Sequence, residues 1–272
     1  MENNCYKLYK ITKKKYMFDV DATYILTLKN STRKEQYLNQ LKKYNISKVI
    51  YIQENKGYKL CKKKFCNKCP LINNANNDIL HAYYNIFKHA KSNNYEKILT
   101  LEDDFFISKK INKKDLYSIN NFIKKINKKN GILRLGTLPI LSYTYLKNFK
   151  FRKLKMASAA HAMIFPNNIF SKIIESNKIN RDPDLFFNTF KQYCYYKPLI
   201  YQLVEETESK KTWGGTNKFV KIFSPFFTNI VLHKCLKLNK NYEPGTSILY
   251  SFNFFMYEIL PIFLIIYFMF KK

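Results

Sequence analysis

At 272 residues, 46% hydrophobic and 17% aromatic, the chain has ample material for a buried core, which excludes a disordered protein and leaves room for one large domain or two small ones. Its formal net charge of +29 comes from 48 Lys and Arg against 19 Asp and Glu, a balance that attracts nucleic acid, anionic lipid or a phosphorylated substrate. The excess is nearly all lysine, with only Arg33, Arg134, Arg152 and Arg181 as arginine, and it is spread along the chain; much of it reads as the solvated surface that an AT-rich coding bias produces.

Residues 1–19 read as a polar lead-in without the apolar run of a secretory signal, so the sequons at Asn30 and Asn45 carry little weight. Ala22 to Leu28 (ATYILTL) is short, apolar and β-branched, the pattern of a buried strand. Asn30, Ser31 and Thr32 offer helix caps, with Glu35 spaced for a capping box on Thr32, and Tyr37, Leu38, Leu41 and Tyr44 follow at helical spacing. Lys48 to Gln53 reads as a second strand, which makes a strand–helix–strand start typical of an α/β sheet. Residues 54–72 form a Lys- and Cys-rich loop. Within it Cys61, Cys66 and Cys69 are spaced C-x4-C-x2-C; zinc binding, free thiols and a disulfide compete there, and a closed zinc site needs Cys5 or His81 from afar.

From Asn77 a helix is expected, with Asp78 favouring its start and Ile79, Leu80, Tyr83, Ile86, Phe87 and Ala90 on one face. Tyr95 to Leu101 is the next strand, Asp115 to Lys129 an amphipathic helix, and Gly131 to Leu135 a strand. Lys155 to Phe165 carries the small-residue run Ala157 to Ala162, Pro166 to Ser176 reads as helix, and Asp182 to Tyr193 as a further helix. Residues 195–204 lead into Glu205, Glu206 and Glu208. Ile248 to Phe270 is strongly apolar, interrupted by Asn253, Glu258 and Pro261 and closed by two lysines, which favours a tail anchor or interfacial segment over a helix packed on the domain. The simplest division is a catalytic domain over 20–240 and an apolar tail over 246–272.

The most informative stretch is Leu101-Glu102-Asp103-Asp104-Phe105, three consecutive carboxylates at a strand end in a basic protein. Carboxylates at such a point can hold a hard divalent cation against a phosphate. If the strand continues that far, alternation sends Glu102 and Asp104 to one side and Asp103 to the other.

Several ordered pieces carry a family resemblance: TYILTLKNSTRKEQYLNQL, DILHAYYNIFKHA, KILTLEDDF, ASAAHAMIF, RDPDLFF and YKPLIYQLVEETESKKTW, which together cover most of residues 20–213. They resemble nucleotide-sugar glycosyltransferases of the GT-A fold, closest to the family 25 lipooligosaccharide glycosyltransferases and their relatives in large DNA viruses. The chain departs from bacterial members in having Ala-Ala-His where they tend to have a Gly-rich turn, and in lacking their Gly-Cys segment before the third helix. The resemblance implies an α/β fold, a GT-A-like (Rossmann-like) mixed sheet flanked by helices in a single catalytic domain. It also implies metal-dependent transfer of a sugar from a nucleotide-diphosphate donor to a hydroxyl on a glycan, glycoprotein or glycolipid, with inversion.

On this reading Asp104 is the direct ligand of Mn2+ or Mg2+, and Glu102 or Asp103 supports the metal or holds the donor ribose. A general base is then needed on the far face of the sugar. Asp182 and Asp184, around Pro183, are the candidates and Asp184 is favoured, while a helix cap is the competing account of either. Glu205 and Glu206 are weaker candidates. His161 would act at the diphosphate, metal or acceptor, or be a satisfied buried histidine; His233 is a more distant ligand candidate, and His81 and His89 read as helix-surface or core residues. Arg33 would bind a phosphate or pair with Glu35, Thr27, Leu28 and Asn30 would line the nucleotide pocket, and Trp213 beside Gly214 and Gly215 would close over substrate or cap the core. The expected setting is cytoplasmic or membrane-associated with the domain on the cytosolic side, with nucleic acid not expected as a partner. Two rivals stand beside it: a metal-dependent phosphoryl-transfer enzyme or nuclease using the same carboxylates, and a non-catalytic basic protein attached to membrane or nucleic acid.

Overall fold

The computed structural model describes residues 5–175, 182–203, 227–261, 263, 264 and 267. The elements run β1 (Tyr6–Thr12), β2 (Ala22–Leu28), α1 (Lys34–Lys43), β3 (Val49–Asn55), α2 (Ala75–Ser92), β4 (Lys97–Glu102), β5 (Phe105–Ile107), α3 (Lys113–Lys124), α4 (Ile126–Lys129), β6 (Ile132–Thr144) and β7 (Phe151–Pro166). Then follow α5 (Asn167–Glu175), α6 (Pro183–Phe187), β8 (Gln192–Tyr195), β9 (Ile200–Gln202), a π-helical segment (Phe227–Cys235), and α7 (Gly245–Phe254), which continues as a π-helical turn (Phe255–Ile259). Seven strands form one mixed sheet in the order β1-β3-β2-β4-β7-β6-β8, and β5 pairs with β9 in a small second sheet. β2 runs parallel to β3 and to β4, whereas β1, β7 and their partners pair antiparallel.

The parallel strands are buried on both faces, which is why they read as continuous apolar runs without alternation. Along β2, Tyr24 and Leu26 pack with Tyr83, Ile86 and Phe87 of α2 and with Phe170 of α5. Ile25 faces the other way, into a core with Tyr37 and Leu41 of α1 and Ile119, Phe122 and Ile123 of α3. Helices thus cover both faces of the sheet, the α/β arrangement expected from the sequence.

Several expectations change in detail. The polar lead-in supplies β1, an edge strand laid on β3 with Lys7 and Lys10 exposed, the kind of charge that discourages further strand addition. α1 has Arg33 at its N-cap without a side-chain cap bond, so there is no Thr32–Glu35 capping box; the neighbouring Ser31 hydroxyl is committed elsewhere. α2 starts earlier than expected, capped by Asn74, because Asp78 is turned into the interior to meet Lys63. The helix expected over 115–129 breaks at Lys125.

The helix expected over 182–193 stops at Phe187. There Asn188 exchanges hydrogen bonds with the Ala157 backbone at 3.2 and 2.9 Å, and the chain joins β6 and β7 as β8. β6 runs on to Thr144, well beyond Leu135, as one arm of a bulged hairpin with β7. In place of a zinc site, Cys5 pairs with Cys61 and Cys66 with Cys69 as disulfides. These bracket Lys63, whose buried ammonium also donates to Asn55 Oδ1 at 2.5 Å.

Candidate functional site

The order of the strands creates the site. From β2 the chain crosses by α1 to β3 on one side; α2 then brings it back past β2 to β4 on the other. Connections diverge at the carboxyl ends of β2 and β4, and a crevice at such a switch point is where α/β sheets bind ligands. The loop after β2 and the triplet after β4 meet there.

Asp103 fastens the two together. Its Oδ2 accepts the Thr27 hydroxyl at 2.7 Å and the Ser31 hydroxyl at 2.6 Å, and its Oδ1 accepts Arg33 Nη1 at 3.3 Å. β4 ends at Glu102, so Asp103 and Asp104 stand in the turn beyond it, where strand alternation no longer sets their direction. Gln202 on β9 donates through Nε2 to Asp104 Oδ2 at 2.7 Å and, at 3.4 Å, to Glu102 Oε2. Tyr83 donates its hydroxyl to the Ala160 carbonyl at 2.9 Å and at 3.4 Å to Glu102 Oε1. Arg33 Nη1 lies 3.7 Å from Asp104 Oδ2, so this guanidinium serves Asp103 and Asp104 in preference to Glu35.

Asp184, distant in sequence, is brought to the same crevice. Its Oδ2 accepts the Ser158 hydroxyl at 2.8 Å and the Ala159 N–H at 3.0 Å, and its charge acts on Glu102. Burial, then the charges of Asp104, Asp184 and Asp103, push the Glu102 carboxyl up to about 8. Burial likewise lifts Asp104 to about 6 against the opposing effects of Gln202 and Arg33. Asp104 Oδ1 and Asp184 Oδ1 are buried without a hydrogen-bond partner. Buried carboxyl oxygens that lack donors, on two aspartates whose charges both act on Glu102, fit a hard cation. Among the described residues no group of three or more His, Cys, Asp or Glu forms a ready-made metal cage; magnesium in particular is commonly held by one or two carboxylates plus substrate phosphates.

The other expected residues separate. Asp182 is a helix cap: its Oδ1 accepts the Asp184 N–H at 3.0 Å, its Oδ2 accepts Asn76 Nδ2 at 3.2 Å, and burial lifts its carboxyl to about 6. His161 is buried and donates Nε2–H to the Ile200 carbonyl at 3.1 Å, and burial pushes it down to about 4. It is a neutral fastener of β9, and through β9 of Gln202. Gly136 makes that contact feasible, since a Cβ there would lie 2.0 Å from the Ile200 oxygen and 2.3 Å from His161 Nε2. Thr27 is taken up by Asp103, and Leu28 and Asn30 are exposed at the crevice rim. His81 and His89 accept or donate to Tyr6 and Tyr24 on neighbouring strands, as packed residues do. His233 lies half-buried on the π-helical segment. Arg181, Glu205, Glu206, Glu208 and Trp213 lie outside the described residues.

Three participants are not apparent from the sequence reading. Gln202 is a single polar residue in an apolar stretch, the one available signal; Tyr83, among His81, Tyr84 and Asn85, offers none. Arg134 is fully buried, donating to Gln192, to Thr137 Oγ1 at 3.3 Å and to the Ala159 carbonyl at 3.2 Å, and its charge acts on Asp184 from beneath.

The strained carboxyls give a pH-dependent stability. A carboxyl held above its ordinary value binds its proton more tightly in the folded state, so stability falls as pH climbs from 4.5 toward about 8. Glu102→Gln is uncharged throughout. It is expected to raise the urea-unfolding free energy by on the order of 2 kcal/mol near pH 8 and to leave it unchanged near pH 4; equal effects at both would contradict the assignment.

Fold and site together define a mixed α/β protein with an acidic crevice at the carboxyl ends of its parallel strands. No protein-family model and no curated protein matches the chain. Among solved structures, A197 from STIV is similar over 68% of this chain and 85% of its own, at 10% identity and a TM-score of 0.41. A glycosyltransferase involved in the glycosylation of the major capsid of PBCV-1 is similar over 74% of this chain and 99% of its own, at 12% identity and a TM-score of 0.37. The functional reading therefore rests on this chain's own residues.

Proposed function

We propose that the protein is a metal-dependent glycosyltransferase that takes its sugar from a nucleoside-diphosphate donor and passes it to a hydroxyl of a glycan, glycoprotein or glycolipid with inversion. The supporting observation is the convergence of Glu102, Asp104 and Asp184 in the crevice between β2 and β4, with buried, partnerless oxygens on Asp104 and Asp184. Asp104 and Glu102 would hold Mn2+ or Mg2+, which offsets the charge gathering on a departing diphosphate. Asp103 sets the position of the loop carrying Thr27, Ser31 and Arg33, and Arg33 presents its guanidinium to a phosphate at the same lip.

Asp184 is the base in this scheme. One oxygen is held by Ser158 and the Ala159 N–H, which leaves Oδ1 to take the proton of the acceptor hydroxyl. Asp182 has both oxygens engaged and orients Asp184. Gln202, pinned through β9 and His161, keeps Asp104 and Glu102 side by side despite their repulsion.

The test offers full-length protein a panel of nucleotide sugars with Mn2+ or Mg2+ and follows release of nucleoside diphosphate. Turnover of one donor, lost in Asp184→Asn only when a hydroxyl acceptor is required, is the expected result. If no donor is bound or cleaved the reading fails, and cleavage of nucleic acid that depends on Asp104 would assign the crevice to phosphoryl transfer instead.

A further inference from the structure

We propose that the outward face of α7 and its π-helical continuation docks on an anionic lipid bilayer, lying among the headgroups without crossing them. The inference concerns a surface apart from the crevice and does not depend on the transferase reading.

The helix is inside out. A helix on a soluble domain turns its apolar stripe inward and its polar side to water. Here Asn253 is buried, donating through Nδ2 to the Pro139 carbonyl at 3.3 Å and the Ile140 carbonyl at 3.1 Å and accepting the Ser142 hydroxyl. Glu258 accepts the Thr144 hydroxyl further along the same strand. The two acceptors are five residues apart, the spacing that a turn bonded from i to i+5 returns to one side. The polar interruptions of the apolar tail are thus the groups that attach it to β6. What faces outward is Ile248, Phe252, Phe255 and Tyr257, with Phe252 60% exposed. A contiguous apolar face of this kind marks an interaction site.

Charge identifies the occupant. The chain contains no Asp or Glu between Asp115 and Glu175, so the β6–β7 hairpin that carries the helix has only Arg134, Lys147, Lys150, Arg152, Lys153 and Lys155 as charged residues. From Asn253 to Glu258 the helix advances along β6 toward the hairpin tip, where Leu146 is 79% and Phe149 75% exposed beside Lys147 and Lys150. Exposed aromatics flanked by lysines, with Glu258, the acid on the helix's continuation, taken up by Thr144, match an anionic headgroup layer, whose apolar boundary takes the rings and whose charge attracts the ammonium groups. Among the described residues no helix is long and apolar enough to cross a membrane.

The experiment floats full-length protein with vesicles of phosphatidylcholine alone, or with phosphatidylserine at about a third of the lipid. Protein is expected to float with the anionic vesicles and to be released by high salt. The double variant Phe252→Ser/Phe255→Ser should bind about tenfold more weakly at an unchanged melting temperature; Phe252→Ser alone, measured beside it, should give a smaller loss in the same direction. Absence of flotation, equal flotation on neutral vesicles, or undiminished binding by both variants would each overturn the proposal. So would a concentration-dependent dimer that the variants dissociate while vesicles capture nothing, which would give the face to a second copy of the chain.

Discussion

Asp104→Asn is expected to lower donor turnover by about a thousandfold, equivalent to roughly 4 kcal/mol of barrier, with the fold intact. The amide keeps the shape of the side chain and an oxygen for the Gln202 Nε2 donor 2.7 Å away. It removes the negative charge from a buried position where Asp104 Oδ1 has no other partner. Removing one preorganised electrostatic contact in a water-poor site typically costs two to three orders of magnitude in rate. The folded protein should tolerate the change, because burial and the Asp103 charge already disfavour the ionised form. Steady-state assay of nucleoside diphosphate release, with a thermal melt on the same sample, checks both halves. Activity above a tenth of the parent at matched stability would remove Asp104 from the chemistry.

The second large effect is on the fold. Gly136→Ala should destabilise the protein by about 3 kcal/mol or more, read from urea unfolding. A methyl at this position would meet the Ile200 carbonyl oxygen at 2.0 Å, which is backbone, and His161 Nε2 at 2.3 Å, which is buried. Neither neighbour has room to withdraw without loosening β9, whose preceding residue Leu199 donates its N–H to the Leu135 carbonyl of β6 at 3.0 Å. Gln202 stands at the end of β9, so the substitution should also reduce turnover in whatever protein remains folded. A variant that unfolds at the parent's urea midpoint would show that the close approach of β6 and β9 is not required.

The parts of this architecture legible from sequence are those governed by local pattern. β2 spans the residues its apolar, β-branched run predicts, and β4 ends at the acidic triplet, because strands buried on both faces announce themselves without any partner. The alternation expected to part Glu102 and Asp104 from Asp103 does not extend that far, because β4 ends at Glu102 and both aspartates stand in the turn, with Arg33 Nη1 near each. Where partners decide, the sequence is silent. Residues 188–193 read as helix until Asn188 binds the Ala157 backbone and the chain pairs with β6 and β7. Asp103 resembles its neighbours in every local respect; only the proximity of Thr27, Ser31 and Arg33 distinguishes it as a fastener. Asp78 looks like a favourable charge at a helix start, yet the interior cation Lys63 claims it. The Cys5–Cys61 pairing spans 56 residues and no spacing rule reveals it.

Arg33 has a consequence for how ligands bind. Its guanidinium, 3.3 Å from Asp103 and 3.7 Å from Asp104, is a resident counter-ion that competes with any external cation for Asp104. An anion that draws Arg33 toward itself unmasks Asp104, while Asp103 stays anchored by two hydroxyls and the loop keeps its place. If the crevice takes a cation and a diphosphate as proposed, the two are expected to bind with positive cooperativity, each raising the affinity for the other by the same factor. On that proposal the arginine would make the crevice hold either ion weakly alone and both firmly together.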